Sequence, residues 1–461
     1  MKKRPIIYFL LSLTIIATSC SVTKPYKPPI VGKQDLYRDQ SLTDTINMVN
    51  LHWTEIFGDT LLENIIQEGI DNNLDLKIAY SRIIQAQAYF DQSRLAFIPG
   101  LSADVSTLNG KQSNNNNTTS STSVHLYQLN VNASWEADLW GKLKSSKRAA
   151  LASLLQSAAY SRTVQTKLVA NIANYYYNLV ALDQELKITE ESVKNWISTV
   201  NIMKALKEAN VVTEAAVVQS EASRYAAEVT IPDLKQLIKQ TENALSIQLG
   251  RKPGQIIRGK LSEQEPGNLL HTGIPAQLLS NRPDVQEAEL NLRYNFELTN
   301  IARTYFYPTL VISASGGFSG SSVSNLFNPT SLIGSIAAGL VQPLFNHGIN
   351  KARLKVAQEA QKQALLTFQN IVLTAGQEVS DDMVSYQSTI EKTSLRDSQI
   401  VNLQKAVEYT QLLVRYSSAN YTEVLNAQQS LLSAQLNQVN DRLQQLQAIL
   451  NLYHDLGGGW K

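Results

Sequence analysis

Residues 142–180 read KLKSSKRAALASLLQSAAYSRTVQTKLVANIANYYYNLV, and the run continues to Ile231 without a glycine or a proline. A second such stretch, Ile349 to Tyr453, is interrupted only by Gly376. Both are rich in Ala, Leu, Gln and Ser, and each predicts a long helix, a tight turn and a long return helix. One helix over residues 142–209 would extend about 100 Å at about 1.5 Å per residue, more than few globular domains could bury. Leu168, Ile172, Tyr176 and Leu179 step by 4, 4 and 3; Leu365, Phe368, Val372, Ala375 and Val379 step by 3, 4, 3 and 4. Such spacing sets one apolar stripe against a neighbour, and small residues (Ala149, Ala150, Ala158, Ala159, Ala173) permit close approach. A coiled-coil rod explains the stripes equally well, so the flanking sequence decides.

Before the first run, Leu61 to Phe97 predicts a helix that Pro99 stops. The period then changes. Leu101, Ala103 and Val105 alternate with Ser102, Asp104 and Ser106, and Tyr127 to Ala137 alternates apolar and polar throughout. Period two over such a length predicts amphipathic strands. Between them, Asn109 to Ser123 is polar and reads as an exposed loop. The second half repeats the first. Asp75 and Asp284, Ala79 and Ala288, and Pro99 and Pro308 are each 209 residues apart. Strands follow again at Leu310, Ile312 and Ala314 and at Ile336, Ala338 and Leu340, with a loop at Gly320 to Ser331, before the second long hairpin. The helical turns fall near Asn210 and Ser417.

Composition narrows the classes. Lys plus Arg is 41 and Asp plus Glu 39, which gives no argument for nucleic acid. Cys20 is the only cysteine, so no internal disulfide forms. Past the first twenty residues no apolar run approaches the ~20 residues of a spanning helix, so any membrane crossing must use strands. Lys2, Lys3 and Arg4, an apolar run at Ile6 to Ala17, and small residues before Cys20 predict a secretory leader. The spacing also resembles a lipobox, with Cys20 as lipidated first residue; an ordinary leader with an incidental cysteine is the alternative. Four strands per chain cannot close a barrel, and open edges cannot face lipid. The strands must be shared, and three copies would give twelve strands around an aqueous lumen.

Five separated motifs resemble the TolC-like outer membrane factors, lipoprotein branch: Ala133–Lys142, Leu278–Val285, Gln342–Gly348, Asn420–Gln428 and Leu456–Trp460. The resemblance implies a mixed α and β membrane protein, a homotrimer with a 12-stranded outer membrane β-barrel (four strands per chain) continued by a long periplasmic α-helical barrel. It implies two internal repeats, a periplasmic adaptor, an inner membrane RND transporter, and outer membrane lipid around the barrel. The expected division is a leader at 1–19, a lipidated tether and equatorial segment at 20–60, and repeat one at 61–249. The latter holds strands at about 101–108 and 124–137 and a hairpin at about 141–249. An irregular equatorial insertion follows at 250–275, then repeat two at 276–453 with strands at about 309–319 and 332–341 and a hairpin at about 349–453, and a tail at 454–461. Trp135, Trp140, Phe306 and Phe345 are expected in aromatic belts. Tyr409, Leu413, Arg415, Tyr416, Tyr421 and Glu423 are gate candidates near the second turn. Asn210, Val211, Val212 and Thr213, with Ser417, Ser418, Ala419 and Asn420, are the expected adaptor-docking turns. The family often carries glycine at both turns, where Asn210 and Ser417 stand here.

The five histidines lack metal-ligand spacing, no nucleotide motif occurs, and Gly457–Gly459 reads as a flexible end before Trp460. Neither a cofactor, a metal nor an enzyme is expected. Three readings remain: a passive efflux duct, a duct for type I protein secretion, and a structural coiled-coil lipoprotein, which would leave the strands unexplained.

Overall fold

A computed structural model describes residues 22–29, 36, 52–113, 121–264, 281–416 and 420–460. The leader 1–19, Cys20, residues 265–275 of the insertion and Ser417, Ser418 and Ala419 lie outside the described residues, as does the side chain of Arg415. The elements in order are α1 (Trp53–Ile56), α2 (Thr60–Asn72), α3 (Leu74–Leu95), β1 (Gly100–Ser113), β2 (Ser121–Ala137), α4 (Lys142–Glu208), α5 (Glu214–Glu228), α6 (Thr230–Gln248), α7 (Pro283–Thr304), β3 (Thr309–Gly320), β4 (Leu332–Val341), α8 (Ile349–Arg415) and α9 (Tyr421–Asp455). They form two compact units. The first takes residues 1–29, 82–157 and 287–368; the second takes 30–81, 158–286 and 369–461.

The first unit is built on one antiparallel sheet in the order β1-β2-β3-β4. β1 and β2 run further than the alternation predicts, to Ser113 and from Ser121, because backbone pairing continues after the amphipathic pattern ends. Asp138 caps α4, its two oxygens accepting from the amides of Leu143 (2.9 Å) and Lys144 (3.0 Å). Arg148 meets the buried Glu297 at 3.0 Å. Asn300 holds the extended N-terminal segment by exchanging two hydrogen bonds with the Lys24 backbone.

The second unit holds most of the helical core. Leu168, Ile172, Tyr176 and Leu179 are all buried, as are Val372, Ala375 and Val379. Gly376 is needed because a Cβ there would stand 2.7 Å from the Leu36 carbonyl oxygen, where an N-terminal residue crosses the helix. The helix expected over Leu61 to Phe97 is two helices. Asn73 leaves the helical region (φ −55°, ψ 132°), accepts from the Leu76 amide and donates to the Gln248 carbonyl at 2.9 Å. The first hairpin's return limb is also divided, at Val229, and Pro232 lies in the first turn of α6, where a missing amide costs little. The glycine-rich end is not flexible. Leu456, Gly457, Gly458 and Gly459 are buried, Gly458 lies against the Tyr453 ring, and the Trp460 indole donates to the Asn281 carbonyl at 3.2 Å beneath Arg162.

Candidate functional site

The strand register sorts the sheet into two chemically different faces. One face carries the rows Leu101–Ala133–Ala314–Ile336, Ala103–Val131–Gly316–Gly334 and Val105–Leu129–Phe318–Leu332. The other carries Ser102–Asn132–Ser315–Ser335, Asp104–Asn130–Gly317–Ile333 and Ser106–Gln128–Ser319. On the apolar face Leu101, Val105, Val131, Leu332, Ile336 and Leu340 are between 53% and 85% exposed. So much contiguous apolar surface needs a partner or lipid. The apolar rows run from Ala137 to Tyr127 along β2, the length of one transmembrane strand, about 9–11 residues. Among the described residues the outer edges of β1 and β4 are unpaired. No helix among them is long and apolar enough to cross a membrane.

The four belt candidates occupy strand ends and corners. Trp135 sits in the apolar row with Ile312 and Ala338, and its indole donates to the Phe97 carbonyl at 3.0 Å. Trp140 donates to the Pro308 carbonyl at 2.7 Å and lies 5.0 Å from the Tyr307 ring. Both indoles therefore join a strand–helix corner to the chain end of a preceding helix, a role that alternation alone does not reveal. Phe306 is 40% exposed and Phe345 79%, the latter against His347.

The helical turns form the second region. Asn210 adopts φ +59°, its amide donates to Lys207, and the Val211 amide donates to Leu206, closing the C-terminus of α4. Asparagine replaces the usual glycine here because its short polar side chain tolerates the left-handed region. Val211 is exposed, Val212 is half-buried, and Thr213 caps α5 without a side-chain bond. Two ion pairs clasp this turn, Lys207–Glu214 (2.6 Å) and Lys204–Glu221 (2.7 Å). Hydrogen bonding to Glu214 holds the Lys207 ammonium above its ordinary range. At the second turn Tyr409, Leu413 and Tyr416 are exposed, as are Glu423 and Asn420, whose side chain accepts from the Thr422 amide. Tyr421 is half-buried, and its hydroxyl bonds Gln219 at 3.4 Å. Met203, Val217, Val414 and Val424 pack under both turns, with Leu206 and Tyr421 against them. Above them Val193, Trp196, Ala227, Leu425 and Leu432 form a second apolar cluster.

Three polar networks fix the roots of the hairpins. Arg258 holds Asp183 with two bonds (2.6 and 2.9 Å) and Glu242 with one (2.6 Å). Asp59 accepts from Tyr176, from Gln264 at 2.7 Å and from the Leu61 amide at 2.9 Å. Burial works to raise that carboxyl, and these bonds outweigh it and hold it low. Buried Arg282 meets Asp284 at 2.8 Å and Glu378 at 2.7 Å and donates to the Asp455 carbonyl at 2.9 Å. Beside it lie the buried carboxyls of Asp382 and Asp455. Burial, then that partner, pushes Asp382 up to about 9, while His454 at 2.6 Å holds Asp455 down against its burial. The motif Asn281-Arg282-Pro283-Asp284 marks one end of this network in the sequence. Its carboxylate partners lie over ninety residues away and carry no local signal. Among the described residues no group of His, Cys, Asp and Glu is arranged to hold a metal ion.

The family described as "Outer membrane efflux protein" matches residues 65–251 and 274–458. The chain is 27% identical over 463 residues to the cation efflux system protein CusC of Escherichia coli O6:H1, covering 97% of this chain and 98% of CusC. It is 29% identical over 418 residues to the probable efflux pump outer membrane protein TtgC of Pseudomonas putida, covering 88% of this chain and 85% of TtgC. The solved structure of the outer-membrane channel OprN superposes with a TM-score of 0.87 at 22% identity, covering 96% of this chain and all of the OprN chain. At that identity the superposition speaks for the fold.

Proposed function

The chain belongs to the outer membrane efflux protein family, and from that premise we propose that three copies assemble into one passive duct. It is an outer membrane efflux channel. The single observation that carries the trimer is the two-faced sheet with two bare edges. β1 and β4 run antiparallel to each other, so β4 of one copy can pair with β1 of the next without reversing the ladder. Three copies then close twelve strands, polar rows inward and apolar rows to lipid, with no edge left in the membrane.

The helical hairpins of three copies continue the duct through the periplasm. Asn210–Thr213 and Ser417–Asn420 are the turns on which a periplasmic adaptor would dock, and an inner membrane RND transporter would supply the energy. The gate belongs to the second turn, with Tyr409, Leu413, Arg415, Tyr416, Tyr421 and Glu423. Trp135, Trp140, Phe306 and Phe345 mark the membrane boundary, Asn109–Ser123 and Gly320–Ser331 face the exterior, and Cys20 carries lipid. The duct has no chemistry of its own. Its cargo is small; a cation is what the name of CusC suggests, though four methionines in the chain argue against a route dedicated to copper. The family and the names of these relatives favour efflux over protein secretion.

The test is native mass and planar-bilayer conductance of the purified protein. A trimer with discrete conductance steps is expected. A monomer, or a trimer that never conducts, overturns the reading.

A further inference from the structure

We propose that Asp104 makes the transmembrane pore prefer cations; this rests on the trimeric-duct reading above. The polar face of the sheet is almost free of charge. Among the described residues its uncharged polar side chains are Ser102, Ser106, Gln128, Asn130, Asn132, Ser134, Ser313, Ser315, Ser319 and Ser335. Two carboxylates interrupt it. Glu136, at the corner, is neutralised by Lys142, whose ammonium lies 3.0 Å from both oxygens. Among the described residues Asp104 has no such counter-ion: its partner is the neutral Asn132 amide, which donates to it at 2.5 Å. His125 stands out of phase with Asp104, in the row of Asn109.

Asp104 is exposed and stands within the apolar band, level with Gly317 of β3. The Asn132 bond fixes its carboxylate along the strand instead of leaving it to sweep the lumen. Three copies put a ring of like charges into a pore whose walls are otherwise neutral and backed by lipid. Such a ring is what confers cation preference on other pores. Low-dielectric walls concentrate its field and raise the local cation concentration, by about tenfold at low salt. The effect must fade with ionic strength, since the Debye length falls from about 10 Å at 0.1 M to about 3 Å at 1 M.

The experiment is the reversal potential of the full-length trimer in a KCl gradient, at low and at high salt. The wild type should favour potassium at low salt and lose most of that preference at high salt. Asp104→Asn, nearly isosteric and able to keep a bond to Asn132, should bring the permeability ratio close to unity, and Asp104→Lys should invert it. Glu136→Gln combined with Lys142→Gln, which removes the neutral pair together, should leave the ratio unchanged. An Asp104→Asn trimer with the wild-type reversal potential overturns the assignment while leaving the duct standing. Absence of conductance in the wild type overturns the duct itself.

Discussion

The two helical hairpins share a plan, but among the described residues only the first is clasped by ion pairs beside its turn as well as at its root. The first is clasped beside its turn by Lys207–Glu214 and Lys204–Glu221, with Asn210 closing α4 in the left-handed region. At its root Arg258 joins α4 to α6 through Asp183 and Glu242. The second hairpin is pinned at its root by Arg282, Glu378, Asp382 and Asp455. Among the described residues the first ion pair joining its two helices, Arg396–Asp441, lies some twenty residues back from the turn. The apolar cluster around Trp196 binds α9 to α4 and α5 and contains no residue of α8. Among the described residues, Val414 is the member of α8 in the buried cluster beneath the turns.

The largest expected effect tests that difference directly. Arg415→Ala with Tyr416→Ala should raise the conductance of the isolated trimer several-fold and sensitise cells to large antibiotics. Lys204→Ala with Lys207→Ala, at the equivalent place on the first hairpin, should leave both unchanged, because exposed ion pairs contribute little. Equal effects from the two double variants would erase the distinction. Trp196→Ala should destabilise the chain by about 3–5 kcal/mol, as loss of a fully buried aromatic side chain does, read as a lower melting temperature. Val414→Ala should cost less and act more on conductance than on melting. Asn210→Val should cost about 1–2 kcal/mol for a left-handed residue with a Cβ branch, and Asn210→Gly nearly nothing. Loss of stability in both would show that the asparagine side chain matters more than its backbone.

The smallest effect concerns the root of the second hairpin. With Asp382 pushed up to about 9, the folded chain holds a proton that the unfolded chain releases near 4. Folding stability from this group is therefore present at low pH and lost as pH rises toward 9. Asp382→Asn should flatten the melting temperature between pH 7 and pH 9. An unchanged slope would place the titration elsewhere.

How much of this can be read from the sequence depends on whether the cause is periodic. The strand alternation at Tyr127–Ala137 and the 3–4 spacing of Leu168–Leu179 are local and legible, and the strand and the buried stripe are both present. Asn73 reads as an ordinary helical residue, because its reason for breaking the helix is the Gln248 carbonyl, 175 residues distant. Gly376 reads as a mere interruption of a helix and Gly457–Gly459 as a flexible end, yet Gly376 and Gly457 answer close backbone approach by the remote Leu36 and Asn281. The turn at Asn210 is visible, but the ion pairs that fix it depend on how two helices face each other. Partners chosen by the fold leave no mark on the neighbouring residues.

The buried stretch Leu456–Trp460 has a consequence for biogenesis. Its contacts reach back 294 residues to Gln165 and 179 to Asn281. Such long closures slow folding, since chain entropy is lost before the contact is gained. The pocket around Arg282 stays without its lid until that stretch has emerged from the export machinery. Chains that stop short of it should therefore persist as protease-sensitive intermediates in the periplasm. Maturation of the channel thus waits on five residues, and a periplasmic chaperone has the whole preceding chain to hold in the meantime.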